Sequence, residues 1–466
     1  MDVDVAVLGG GPGGYPAAIR AAQLGLSVAL VEKGELGGTC LNVGCIPTKA
    51  WVQSAHALKD ASEAFPKLGV TVGAPELDFD QVQANKSEIV KSMVGGVGMI
   101  LKANGVTVVN GVGTFAGPNQ LDVEGGESIT FKHAVIATGS RPLRPPVEGI
   151  DGDRCVDSTG LLATQSVPKR LLVLGGGVIG VEFASIFNHF GSEVTVVEML
   201  DSLIPMMDQD AITALSRAFT KSGITVHTGA RATKVESTAD GVTLAFEKDG
   251  ETTSVEGDLL LVATGRGANV EGIGLEAAGV KYEKTRIIAD ATRKTSVDNI
   301  YAVGDVAGYW QLAHTAFREG EVAAENIAGH RTEVTGAVPS CIYTDPEVAG
   351  VGLTEKEAVE KYGADNVITG QFPYAAIARA AMFADKTGFF KTIAHATTGE
   401  LLGVVVVGLQ ATDLVNSGLI ALDSEAVIET VADSIAAHPT LSEGFKEAGL
   451  VTLGRPIHVP PKKRRK

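Results

Sequence analysis

Long apolar runs are missing from this chain. No stretch approaches the roughly 18 residues that a membrane helix needs, so no membrane span is expected. An excess of positive charge is missing too. The 39 Lys and Arg face 55 Asp and Glu, a formal net charge of −16, and a field of that sign repels phosphate backbones, which argues against a nucleic-acid partner. Cysteine is scarce, four among 466 residues, which excludes a disulfide scaffold. The opening residues, MDVDVAVLGG, lack the basic flank of a secretory leader and read as a strand. Together these absences set the expectation of a cytoplasmic protein in a reducing compartment. There, a close cysteine pair is more often catalytic or metal-binding than structural.

What the chain does have is apolar material and glycine. Hydrophobic residues make up 45% and charged residues 20%, enough for packed cores, and the length suggests about three domains. Glycine accounts for 57 of the 466 residues, well above the usual share of about 7%, and it comes in clusters. Residues 2–8 read as a buried strand running into Gly9-Gly10-Gly11-Pro12-Gly13-Gly14, an Ala-rich helix, and a second strand ending at Glu32. The same series returns 166 residues later: RLLVL, then Gly175-Gly176-Gly177-Val178-Ile179-Gly180, a helix, and a strand ending at Glu198. One such loop is weak evidence. Two, each between strand and helix and each with a Glu 18 residues after the third glycine, are strong evidence for a pair of dinucleotide sites. The first glycine makes the tight turn, the second lets pyrophosphate approach the backbone, and the third lets helix and strand pack. The helix N-terminus offers free N–H groups to the phosphates, and the Glu accepts hydrogen bonds from the ribose. A carboxylate at 198, with no Arg at 199–201, favours NAD over NADP. Two further echoes, Ala137-Thr138-Gly139-Ser140-Arg141 and Ala263-Thr264-Gly265-Arg266, each follow an apolar strand and are expected to close a nucleotide domain.

Directly after the first Glu comes GGTCLNVGCIPTK, with Cys40 and Cys45 at or just before a predicted helix start. Such a terminus stabilises a thiolate. Four intervening residues, with Gly44 before the second cysteine, can close a ring, so a redox pair is the leading reading. A metal half-site and two inert thiols are the alternatives, although no further ligands stand nearby at metal spacing.

This segment resembles the active-site signature of the flavin-dependent pyridine nucleotide–disulphide oxidoreductases. AAHPTLSE near the C-terminus is similar to the family's His–Glu motif, and YAVGD and both glycine loops extend the likeness over essentially the whole chain. The resemblance implies an α/β fold with two Rossmann-like dinucleotide-binding domains and an α+β C-terminal dimerisation domain. It implies FAD at Gly9, Gly11, Gly14, Glu32, Lys33, Thr39, Lys49, Gly113, Thr138, Gly139, Ser140, Asp305, Ala313 and His314. It implies NAD at Gly175, Gly177, Ile179, Gly180, Glu198, Val235 and Gly265, and no metal. In the catalytic set it implies, Cys40 exchanges with substrate sulfur and Cys45 lies against the flavin, the two forming a redox disulfide. His438 serves as base, oriented by Glu443, and Lys49 pairs with Glu182. The branch most resembled oxidises dihydrolipoyl groups. Its expected partners are a second copy of the chain (a homodimer in which His438 reaches the other subunit's site) and the lipoyl domains of 2-oxo-acid dehydrogenase complexes or the glycine-cleavage H protein. No lipoyl domain is fused at the N-terminus, so that partner is expected to be a separate chain.

The expected organisation is an FAD-binding domain at 1–146 and 266–335 with a helical excursion over 47–103, an NAD-binding domain at 147–265, and an interface domain at 336–466. Two departures stand out. Pro16 falls inside the first glycine-loop helix, at the edge of what a helix tolerates, and is expected to bend it slightly at most. Ala436 replaces the second histidine of many relatives. The basic run Pro460-Pro461-Lys462-Lys463-Arg464-Arg465-Lys466 is expected to be a solvated end, with docking to an acidic partner domain as the alternative. Glutathione-type and mercuric reductases are disfavoured by Glu198 and by the lack of a cysteine pair beyond Cys341. A redox-dead structural flavoprotein is disfavoured by the intact Cys40, Cys45, His438 and Glu443.

Overall fold

The computed structural model describes residues 1–461; 462–466, most of the basic run, lie outside the described residues. Three sheets organise the chain. The first has seven strands, with Asp2–Leu8 at its centre flanked in parallel by Val28–Glu32 and Ile129–Ile136. Ile300–Ala302 joins the same sheet beside Ile129–Ile136, so the segment after 266 does return to it. The second sheet is five parallel strands in which Arg170–Leu174 lies between Glu193–Val197 and Leu259–Val262. The third is five antiparallel strands, with Leu401–Gly408 and Gly388–His395 in the middle, joined across a tight turn at 396–400. Strands covered on both faces read as unbroken apolar runs rather than alternations, and the consecutive residues Val5, Ala6 and Val7, like Leu171, Leu172 and Val173, are all buried.

The two glycine loops repeat in space as they do in sequence. Gly9 and Gly175 have φ of 104° and 114°, a region that favours glycine. A Cβ on Gly14 would sit 1.8 Å from the Gly9 carbonyl oxygen, and one on Gly180 would sit 1.9 Å from that of Gly175. These third glycines pack helix on strand, as the spacing predicts. Pro16 is the third residue of the helix Gly14–Gln23. Its missing N–H falls in the first turn, where no carbonyl partner exists, so the expected bend has no cause there.

The two later echoes pair with each other: Ser140–Pro142 runs antiparallel to Arg266–Ala268. The helical excursion is a helix Cys45–Lys59 with a short extension, followed by a 25-residue helix Phe79–Ala103. Trp51, fully buried, meets Phe187 of the second glycine-loop helix (Val178–His189) at 5.8 Å between ring centroids, edge to face. This aromatic contact packs the helix Cys45–Lys59 against the helix Val178–His189.

Candidate active site

Cys40 lies in a short helix, Gly38–Val43, and Cys45 is the first residue of Cys45–Lys59. Their side chains lie within hydrogen-bond reach of each other. The hydrogen bond from Cys40, opposed by burial and aided by the Lys49 ammonium, brings Cys45 down to about 7, while Cys40 is raised by the same bond and by burial. The helix N-terminus at Cys45 adds to this bias.

Lys49 lies one turn along the same helix. Its Nζ donates to Glu182 Oε1 at 2.9 Å and to Oε2 at 2.7 Å. Glu182 is only 3% exposed and also accepts from the Tyr343 N–H at 3.0 Å. Burial opposes the Lys49 charge, but the Glu182 carboxylate outweighs it and holds the lysine above its ordinary value. Read on sequence alone, Glu182 looks like a solvated helix charge; Tyr343, from the third domain, covers it.

These groups line one cleft of about 2420 Å³, well beyond the roughly 300–1,000 Å³ of a pocket for one small ligand. Both glycine loops open into it. A Cβ on Gly177 would meet nothing within 4 Å, and one on Gly11 only Gly38 Cα at 3.7 Å, so backbone faces open space where a pyrophosphate would approach. Glu32 accepts from the N–H groups of Gly10 and Gly34, and Glu198 from those of Gly176 and Leu200. Each acid thus stands over its own loop. Thr315 Oγ1 is buried without a partner, and its residue lines the cleft. The residues present therefore fit two dinucleotides.

Lys33, Thr39, Gly113, Thr138, Gly139, Ser140, Asp305, Ala313 and His314 line the first half of the cleft, and Ile179 and Gly265 the second. Val235 does not line it. It is 3% exposed in an apolar cluster with Leu244 and Phe246, and Ala230, Arg231 and Ala232 face the cleft instead. A bulge between Ala232 and Lys234 shifts the strand's alternation and turns Val235 inward. Arg266 was not anticipated. Its Nε donates to Ser140 Oγ at 2.8 Å, and Ser140 Oγ donates to Asp305, linking the paired echoes to Asp305 at the cleft wall.

His438 and Glu443 stand apart from this cleft. His438 is exposed, and its Nδ1 lies 2.8 Å from Glu443 Oε1. Glu443 Oε2 accepts from the Thr440 N–H at 2.8 Å. Burial works against the Glu443 charge, but the Thr440 N–H and His438 outweigh it and keep the carboxyl below its usual value. With Nδ1 engaged, Nε2 is the nitrogen left to take a proton.

The family model described as pyridine nucleotide-disulphide oxidoreductase matches residues 3–320, and that of its dimerisation domain matches 338–449. The chain belongs to the pyridine nucleotide–disulphide oxidoreductase family and uses FAD and NAD. Its curated relatives include the dihydrolipoyl dehydrogenases of Geobacillus stearothermophilus, 41% identical over 464 residues, and Thermus scotoductus, 43% identical over 464 residues, with 98% of each chain covered in both cases. Among solved structures it is similar to LpdA from Mycobacterium tuberculosis, with a TM-score of 0.88, 28% identity and 96% and 99% of the two chains covered. The HOCl-induced flavoprotein disulfide reductase of Escherichia coli gives 0.86 at 28% identity with the same coverage. Among the described residues no helix is long and apolar enough to cross a membrane, and no group of His, Cys, Asp and Glu could hold a metal.

Proposed function

We infer that this chain oxidises dihydrolipoamide to lipoamide and reduces NAD. The observation that carries the reading is the Cys40–Cys45 pair at a helix start, backed by Lys49–Glu182, in a cleft between two dinucleotide loops. Bound FAD supplies the two-electron acceptor between dithiol and nicotinamide. A substrate thiolate attacks Cys40 Sγ of the disulfide and Cys45 leaves as thiolate, stabilised by Lys49 and the helix terminus. The second substrate thiolate then closes the lipoamide ring and Cys40 departs. Two substrate S–H groups have become one S–S bond, and one S–S bond has become two thiols.

The base for the substrate protons is the partner subunit's His438, held by Glu443. Its exposure on the dimerisation domain, away from the cleft of its own chain, supports this arrangement. The natural carriers are the lipoyl domains of 2-oxo-acid dehydrogenase complexes or the glycine-cleavage H protein.

Purified protein given dihydrolipoamide is expected to produce NADH. NADP is expected to be disfavoured about a hundredfold in kcat/KM, because a 2′-phosphate would meet the Glu198 carboxylate. NADPH-driven reduction of oxidised glutathione at a higher rate would overturn the reading. The thiol electrostatics give a second expectation. Lys49→Met removes the cation that favours the Cys45 thiolate, so its pKa should rise from about 7. The ultraviolet thiolate absorbance of the reduced protein would then appear at higher pH than in the wild type.

A further inference from the structure

Lys391 sits in the third sheet, in the strand Gly388–His395, and is 3% exposed. Lysine is almost never buried unless paired, and this one is paired three times. Its Nζ lies 2.8 Å from Asp208 Oδ1, 2.7 Å from Asp210 Oδ2 and 2.6 Å from Glu355 Oε2. Asp208 is the N-cap of the helix Gln209–Lys221 in the NAD half, and its Oδ2 also accepts from the Glu355 N–H at 3.0 Å. A single ammonium therefore ties the interface domain to the start of that helix.

The segment leading into Asp208 touches the second glycine loop. Ile204 has φ of 42°, a left-handed conformation that a β-branched residue adopts only when its surroundings impose it. Its N–H donates to the Gly176 carbonyl at 2.9 Å. Gly176 is thus held from both sides, its N–H by Glu198 and its oxygen by Ile204. Leu203 closes over the same glycine, so that a Cβ there would lie 2.6 Å from Leu203 Cδ2. Met206 and Met207 line the cleft, and the Met207 N–H donates back to the Ile204 carbonyl at 2.9 Å. A short, strained span thus runs from the nucleotide loop to a buried charge cluster.

We propose that Lys391 is a positioning residue for NAD: by clamping Asp208 it holds the 199–208 segment, and through Ile204 the Gly176–Glu198 edge, in the form that receives the nucleotide. The inference rests on NAD occupying the second half of the cleft. Lys391 does not line the cleft that holds Cys40 and Cys45, so its loss separates the two half-reactions. Lys391→Met leaves three carboxylates facing one another with no cation and frees the segment.

The test uses the purified holoenzyme. For Lys391→Met, KM for NAD is expected to rise about tenfold, the effect of one or two weakened contacts. The long-wavelength thiolate–flavin absorbance produced by dihydrolipoamide in rapid mixing, without NAD, should match wild type. Lys391→Arg keeps the charge and should recover most of the affinity. An unchanged KM for NAD, or a parallel fall in both half-reactions, would overturn the proposal. If Lys391→Met does not fold, Asp208→Asn decides: the amide oxygen keeps a cap acceptor but the charged clamp at 2.8 Å is lost, a two- to threefold rise in KM for NAD is expected from this milder loss, and no rise overturns the proposal. A wild-type enzyme that develops the thiolate–flavin band with dihydrolipoamide but never reduces NAD would instead sink the functional reading itself.

Discussion

Cys40→Ser and Cys45→Ser are each expected to lower dihydrolipoamide-driven NADH formation by at least about 10³-fold. A serine oxygen cannot form the S–S bond that carries the electron pair, and its hydroxyl is far from ionised at neutral pH. The loss should be confined to sulfur chemistry. Both variants should stay yellow with full flavin content, and NADH-driven reduction of ferricyanide, which needs only the nucleotide sites, should persist. The two variants should also differ from each other. Cys45 left alone keeps Lys49 and the helix terminus beside it, so in Cys40→Ser the remaining thiolate should form at lower pH than the lone Cys40 of Cys45→Ser. The pH dependence of iodoacetamide labelling reads this order. Retained turnover in either variant would remove the pair from the mechanism.

The second large effect is expected at His438. Removing a general base typically costs about 10²–10⁴ in rate, and His438→Ala should fall in that range for reduction of the enzyme by dihydrolipoamide. The base matters only while the substrate is a thiol. As pH rises toward the ordinary thiol pKa of about 8.5 and beyond, the substrate ionises unaided and the gap to wild type should narrow. A gap that stays constant with pH would indicate a structural role instead. Stopped-flow reduction across that range separates the two.

Much of this site was legible because backbone crowding demands glycine. Where a Cβ would strike the Gly9 or Gly175 carbonyl at under 2 Å, only one residue type fits, and the pattern survives in the sequence. The Cys40–Cys45 segment was legible for a similar reason, since ring closure and a helix start constrain a short run. Glu182 was not legible without the family likeness, because its burial is made by Tyr343 from 161 residues away. Arg266 reads as an ordinary surface charge until Ser140–Pro142 and Arg266–Ala268 pair. Val235 was misplaced because a bulge is invisible to period-two alternation. Pro16 reads as lying at the edge of the first turn because helix starts are hard to fix from sequence to within a turn. The Lys391 cluster draws its charges from 208, 210 and 355, and no local pattern announces it.

The most direct test of the central claim is a thiol count on denatured protein. The chain has four cysteines, and Cys155 and Cys341 lie outside the exchanging pair. Holoenzyme oxidised with excess NAD and freed of nucleotide should show two titratable thiols. The same protein after anaerobic dihydrolipoamide should show four, and adding NAD should return it to two. Four thiols in every state, with NADH still being formed, would contradict the account.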